Sequence, residues 1–217
     1  MEHLFPIIAE GEHEQQDFKL RIDESRKIAI TLSAFANRSG GRLLIGVKDN
    51  GKVAGVKSVE EEFHMVKAAA EMYCKPTVTI EPQVFNHEGK DVLIVEVKKS
   101  DQPPVLAKNT EGKWRAYLRM KDENMLMNSV LSKSFALTKN KQDLVQLNPK
   151  VLGFLQYAKE KDFFGFQVAR RKMGLNAMET EQTLALLIRW KVIDFAFSSK
   201  GVLYTINPEQ TEIDISH

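Results

Sequence analysis

Along the chain, apolar positions change period several times, and each change marks an element. From Gln15 polar residues alternate with Phe18, Leu20 and Ile22, the period of two of a strand, which places Asp17, Lys19 and Arg21 on one face. Ile28, Leu32 and Phe35 then recur at helical spacing among Ala29, Ala34 and Ala36, predicting a closely packed helix to about Arg38, capped by Asp23 or Ser25. Asn37 and Gly40-Gly41 supply left-handed conformations that stop it. Arg42 to Val47 is an apolar run suited to a buried strand, and Asp49-Asn50-Gly51 has hairpin chemistry. Ser58 caps a second helix with Glu60, Glu61 and Glu62 in its first turn, ended by Pro76. Thr77 to Phe85 and Asp91 to Val97 alternate around a turn and form a hairpin. Trp114 to Met120 alternates again, and Asn124 to Leu137 reads as a helix closing the first domain.

After a polar stretch a new pattern begins. Val151 to Lys159, Phe166 to Met173 and about Glu179 to Trp190 read as helices, and Val192 to Ala196 with Val202 to Ile206 as a hairpin. This order resembles a winged helix-turn-helix. The expected class is α+β: residues 1–138 form a mixed sheet with packed helices, 139–149 a linker, and 150–217 a small winged-helix-like domain.

Composition changes this picture little. Over 217 residues the formal net charge is +2, so a nucleic-acid partner must be met by a local patch. The single cysteine, Cys74, excludes an internal disulfide and suits a cytoplasmic protein. No apolar run approaches the ~18 residues of a membrane span, and no signal-peptide order opens the sequence.

The most basic part of the first domain is Lys108, Lys113, Arg115, Arg119 and Lys121, interleaved with Trp114 and Tyr117. Cations meet phosphates and rings stack on bases, so this strand, with Lys19, is a candidate nucleic-acid platform; it equally fits a solvated strand face. Arg170, Arg171 and Lys172 are further candidates for backbone contact. The third helix of the second domain opens on Glu179, Thr180, Glu181 and Gln182, acids that would repel phosphate, so protein contact or dimerisation stands equal to DNA binding there.

Residues from about Glu10 to Leu137 resemble the Schlafen-type divergent Alba-like domain. The resemblance rests on Glu12-x-x-x-x-Asp17-Phe18-Lys19, Ser33-Ala34-Phe35-Ala36-Asn37-x-x-Gly40-Gly41, Leu44-Ile45-Gly46-Val47-x-Asp49-x-Gly51, Val53-x-Gly55 and Tyr117-x-Arg119. It implies DNA-binding parts of transcriptional regulators, commonly followed by a helix-turn-helix. It also implies, as an alternative, an RNA endonuclease whose three acids would correspond to Glu12, Asp17 and Asp49, holding Mg²⁺ or Mn²⁺. Asp17 stands where the family generally has Glu, and Met120-Lys121-Asp122 stands where Gly-Ser is usual. DNA or RNA is the expected partner, with a homo-oligomer left open. No cofactor is expected outside the nuclease reading. ATP is not expected, because Gly41-Arg-Leu-Leu-Ile-Gly46 is followed by Val47 and Lys48 rather than by Lys and Ser or Thr.

Overall fold

The computed structural model describes residues 4–137 and 149–208. The chain divides into two compact units, Met1–Met127 and Asn128–His217. The expected linker, 139–149, lies outside the described residues except for Pro149, which opens a helix.

In the first unit, α1 (Leu4–Ala9) precedes β1 (Gln16–Lys19), α2 (Ser25–Ala36), β2 (Gly41–Ile45) and α3 (Val59–Met72). The strands β3 (Cys74–Lys75), β4 (Ile80–His87), β5 (Lys90–Val97), β6 (Leu106–Lys108), β7 (Trp114–Met120) and β8 (Glu123–Leu126) follow. One sheet runs β1-β2-β5-β4, with only the β1–β2 pair parallel; the other runs β3-β6-β7-β8 and is antiparallel. This is the expected α+β class with a mixed sheet.

The helix α2 is buried on nearly every side, because its small residues let both sheets approach it. Ile28, Ala29, Leu32 and Phe35 share one core with Leu43, Ile45 and Val95 of the first sheet and Ala107 and Tyr117 of the second. The opposite face of the first sheet, through Phe18, Leu44, Val92 and Ile94, buries Leu4, Ile7 and Ile8 of α1. Each such fully buried large aliphatic or aromatic side chain contributes about 1.5–3 kcal/mol before entropy is counted. Pro82 lies in β4, at the sheet's edge, where a missing N–H is tolerated.

The run Ser33-Ala-Phe-Ala-Asn37-x-x-Gly-Gly works by packing and side-chain bonding. Asn37 is right-handed, at φ −76°, correcting the expectation of a left-handed stop. Its amide instead clamps the second sheet to α2: Nδ2 donates to the carbonyls of Val105 and Tyr117, each at 2.9 Å, and Oδ1 accepts from the Val105 N–H at 2.7 Å. Gly40 alone of the glycine pair is left-handed, at φ +79°, and a Cβ there would stand 2.6 Å from the Val97 carbonyl oxygen. A Cβ on Gly41 would meet the Phe35 ring at 2.7 Å. Neither Asp23 nor Ser25 caps α2: the N-cap is Glu24, without a side-chain hydrogen bond, and Ser25 Oγ donates to the Met65 carbonyl. Ser58 does cap α3, accepting from the Glu61 N–H.

The expected helix from Asn124 to Leu137 is two elements. Residues Glu123–Leu126 pair with β7 as β8, and Asn128 then caps α4 (Ser129–Ala136), which belongs to the second unit. That unit continues with α5 (Pro149–Lys159), α6 (Phe166–Met173), α7 (Ala177–Arg189), β9 (Ile193–Ser198) and β10 (Gly201–Ile206). The last two form an antiparallel hairpin. Gly174 ends α6 in the left-handed conformation, as its place after the apolar pattern predicts. Phe154 packs edge-on against Phe164, which lies tilted against Tyr204 in this unit's core, and Tyr204 takes a hydrogen bond on its hydroxyl from Asn128 Nδ2 at 2.8 Å.

Candidate nucleic-acid interface and acidic site

Strand β1 and the loop before it bring Glu12, Asp17 and Lys19 together. Asp17 is 4% exposed, not the solvated edge charge that alternation implies. Its Oδ1 accepts from Arg119 Nη2 at 2.9 Å. Its Oδ2 lies 2.7 Å from the Lys19 ammonium, an ion pair in distance that lacks the alignment of a hydrogen bond, while Lys19 Nζ donates to the Phe18 carbonyl. Glu12 adjoins Asp17, and its Oε1 accepts from the Phe18 N–H at 2.9 Å. Burial pushes the Glu12 carboxyl above its ordinary range; the Phe18 N–H opposes this, and the Asp17 charge adds to it.

Arg119 sits beneath this cluster at 1% exposure. Besides Asp17 it donates to Asn124 Oδ1 at 3.0 Å and to the carbonyls of His13 and Gln16, and its guanidinium lies over the Phe35 ring. Asn124 passes the connection to Thr31 of α2 at 3.0 Å. Arg119 therefore holds β1, β7, β8 and α2 together and has no surface to offer a nucleic acid. Tyr117 is likewise buried against α2, its amide N–H donating to Ser33 Oγ. Both are corrections to the platform expected from alternation, since this face of β7 packs on a helix.

What remains exposed of that platform lies at the two ends of the strand. At one end Lys108 stands directly opposite Trp114 across the β6–β7 ladder, beside Lys113 and Arg115, with Trp114 37% exposed. At the other, Lys121 turns the β7–β8 hairpin at φ +55°. Arg115 and Lys121 are six residues apart, about 20 Å along a strand. Lys113 pairs with Glu111 at 2.9 Å, whereas Lys108, Arg115 and Lys121 have no ion pair among the described residues. Sequence reading missed Lys75, which the register sets opposite Leu106 on the same face as Lys108 and Trp114. Its place after a predicted helix and before Pro76 concealed the short strand β3.

The three acids do not gather. Glu12 and Asp17 adjoin, but Asp49 is exposed on the turn closed by the Gly51 N–H to Lys48 carbonyl bond. Among the described residues no three His, Cys, Asp or Glu side chains stand close enough to share an ion. A hard divalent cation needs free carboxylate oxygens, and those of Asp17 face Arg119 and Lys19. The residues as arranged do not fit a three-carboxylate metal centre. A cavity of about 590 Å³ lined by Ile22, Glu60, Glu61, Glu62, His64 and Met65 is acidic and repels phosphate. Glu62 accepts there from the Ile22 N–H, and burial raises its carboxyl above the ordinary range.

In the second unit, Arg170, Arg171 and Lys172 are exposed on α6. The acids of α7 are occupied: Glu179 completes a capping box with Asn176, and Glu181 pairs with Lys133 at 2.7 Å and accepts from Ser129 at 2.7 Å. Those bonds, Lys133 first, hold the Glu181 carboxyl below its usual range. Thr180 is buried and donates to the Asn176 carbonyl. The exposed acidic start expected of this helix is thus largely internal bonding.

The model of the Schlafen, AlbA_2 family matches residues 12–128, more than half of the chain. The chain belongs to the Schlafen, AlbA_2 family. The match spans the Glu12, Asp17 and Lys19 cluster, the Asn37 clamp and the Gly40-Gly41 approach, and ends one residue into the second unit. Among solved structures, the DIP2311 protein from Corynebacterium diphtheriae is 16% identical at a TM-score of 0.48, covering 92% of this chain. This Schlafen, AlbA_2 chain spans only 37% of that protein's length. The N-terminal domain of a protein from Nitrosomonas europaea whose name reads "Putative ATP-dependent DNA Helicase RecG-related Protein" is 19% identical at a TM-score of 0.44, with 68% of this chain and 98% of that one covered. No curated protein matches. Among the described residues, no helix of this family member is long and apolar enough to cross a membrane.

Proposed function

We propose that this chain binds nucleic acid, DNA foremost, as part of a transcriptional regulator. The observation that carries the reading is the end of the β6–β7 ladder, where Lys75 and Lys108 share a face with the exposed Trp114, while Arg115 emerges from the other face of the same strand end and Lys113 precedes it in the turn. An exposed ring beside Lys75 and Lys108, which have no ion pair among the described residues, suits a phosphate backbone and an unstacked base better than it suits a fold-stabilising face. Membership of the Schlafen, AlbA_2 family supports the same class of partner. The helices α5 to α7 followed by the β9–β10 hairpin support reading the second unit as a winged helix.

Fluorescence anisotropy with labelled DNA and RNA across a KCl series tests this. Lys113→Ala/Arg115→Ala is expected to weaken binding and lower the slope of log affinity against log salt by about two, one per lost phosphate contact. Trp114→Ala is expected to weaken single strands more than duplex. Absence of binding at about 0.1 M salt, or binding insensitive to salt, sinks the proposal.

A further inference from the structure

In the second unit, the Arg170-Arg171-Lys172 run is part of a larger cationic surface whose other members, Lys161 and Lys150, are brought to it by the fold. Tyr157 on α5 receives two ammonium groups on its ring: Lys172, from the last turn of α6, at 4.2 Å from the ring centroid, and Lys161, from the chain beyond α5, at 5.6 Å. The two charges are therefore within about 10 Å of each other. Lys150, at the start of α5, continues the surface, its Nζ 3.9 Å from where a Cβ on Gly174 would sit. The ring holds Lys161 and Lys172 through its quadrupole.

Like charges gathered without a neutralising partner attract an anion. Glu160 and Asp162 flank Lys161 in sequence and are exposed, yet the sole ion pair among the described residues of this unit is Lys133–Glu181. Lys150, Lys161 and Lys172, with Arg170 and Arg171 exposed on α6, thus meet no carboxylate of a described residue at ion-pair distance. With its ring taken by ammonium groups, Tyr157 positions charge and does not stack bases. The acids of α7, by contrast, are bonded to Asn176, Ser129 and Lys133.

We infer that the α5–α6 face, through Lys161 and Lys172 held on Tyr157 and extended by Lys150, grips the phosphodiester backbone of a nucleic acid. This rests on the nucleic-acid reading above and adds a second, sequence-independent contact made by the other unit. Phosphate takes point charges in no fixed orientation, which is what two lysine heads on one ring supply.

The test uses the full chain and a fluorescent 20-mer, as single strand and as duplex, over a KCl series. Lys161→Gln/Lys172→Gln is expected to bind about tenfold or more weakly at 0.1 M salt and to lose about two from the salt slope. Its melting temperature should match the unaltered protein. Lys161→Arg/Lys172→Arg should keep the affinity. Lys191→Gln/Lys200→Gln removes the same net charge elsewhere in the unit and should leave binding unchanged. The inference is overturned if the Gln pair weakens binding no more than this control, or if the Arg pair binds as weakly as the Gln pair. Should the Lys113→Ala/Arg115→Ala variant weaken binding while the Gln pair does not, the nucleic-acid reading stands and this face falls alone. If the unaltered chain binds neither oligonucleotide, both fall. Release of the Gln pair from phosphatidylserine vesicles with oligonucleotide binding intact would make the face a membrane contact and also overturn it.

Discussion

Replacing Arg119 by methionine separates a fold-holding charge from a ligand-holding one. The substitution keeps most of the buried volume and removes the guanidinium that donates to Asp17 at 2.9 Å and to Asn124 at 3.0 Å. Breaking a buried ion pair by deleting one partner costs about 3–5 kcal/mol, because the other charge stays behind in a poor solvent. Lys19 still lies 2.7 Å from Asp17 and is itself partly solvated, so the expected cost is at the lower end, about 3 kcal/mol. For a chain of this size that corresponds to a fall of about 10 °C in melting temperature. Because the chain has two units, the melt is best followed with hydrogen exchange at the β7 amides, which reports the first unit alone.

The double variant Asp17→Asn/Arg119→Met sharpens the reasoning. With the orphaned charge gone, the pair should be less damaged than the sum of the single variants, with a coupling of about 1–3 kcal/mol. The argument is refuted if Arg119→Met melts within about 2 °C of the unaltered protein. It is refuted more instructively if that variant keeps its stability and loses nucleic-acid affinity, since Arg119 would then be a ligand contact despite its burial.

Asn37→Ala leaves the Val105 N–H and the Tyr117 carbonyl without their side-chain partner, while the Val105 carbonyl keeps Ser33 Oγ at 2.8 Å, for an expected loss of about 3 kcal/mol by urea titration. Gly40→Ala forces a Cβ to within 2.6 Å of backbone at Val97 in a left-handed conformation, and should cost about 2 kcal/mol or more on the same titration. Glu12→Gln should stabilise at neutral pH and not at acid pH. The folded carboxyl titrates above its ordinary 4.5, so the folded state binds more protons and stability falls as pH rises through that window. Melts of both proteins from pH 4 to pH 8 check this, and a gap that widens toward acid contradicts it.

Periodicity located most elements because it reports which face meets a core. The bounds of α6 and the β4–β5 and β9–β10 hairpins follow from it closely. It failed where one element is enclosed from two sides. Alternation in β7 predicts a solvated face carrying Arg115, Tyr117 and Arg119, but α2 covers all of that face beyond Arg115. Gln16 and Asp17 in β1 are buried for a related reason: Gln16 donates to the Ile7 and Gly11 carbonyls, and Asp17 meets a guanidinium more than a hundred residues away in sequence. The junction at Asn124 to Leu137 misled because Met125, Leu126 and Met127 suit helix and strand equally. Only pairing with β7 decides them, and pairing is nonlocal.

Charge was the least legible property, since a sequence counts charges without their partners. Arg119, Lys19 and Lys121 look alike in the chain, yet one is sealed under Asp17, one bridges Asp17 and a carbonyl, and one turns a hairpin in solvent. The acids follow the same rule: Glu181 is held by Lys133 and Ser129, Glu179 by a helix cap, and Asp17 by two cations. Setting the ion pairs aside removes acids and cations alike and leaves the net +2 unchanged, so what distinguishes the surface is placement: cations without an ion pair among the described residues collect at the β6–β7 end and on the α5–α6 face. A small net charge is thus compatible with phosphate binding, because a phosphate meets the local arrangement of cations and not their sum over the chain. Raising salt should therefore weaken nucleic-acid binding steeply while leaving the Asp17–Arg119 core nearly untouched, as buried pairs are screened far less than exposed ones.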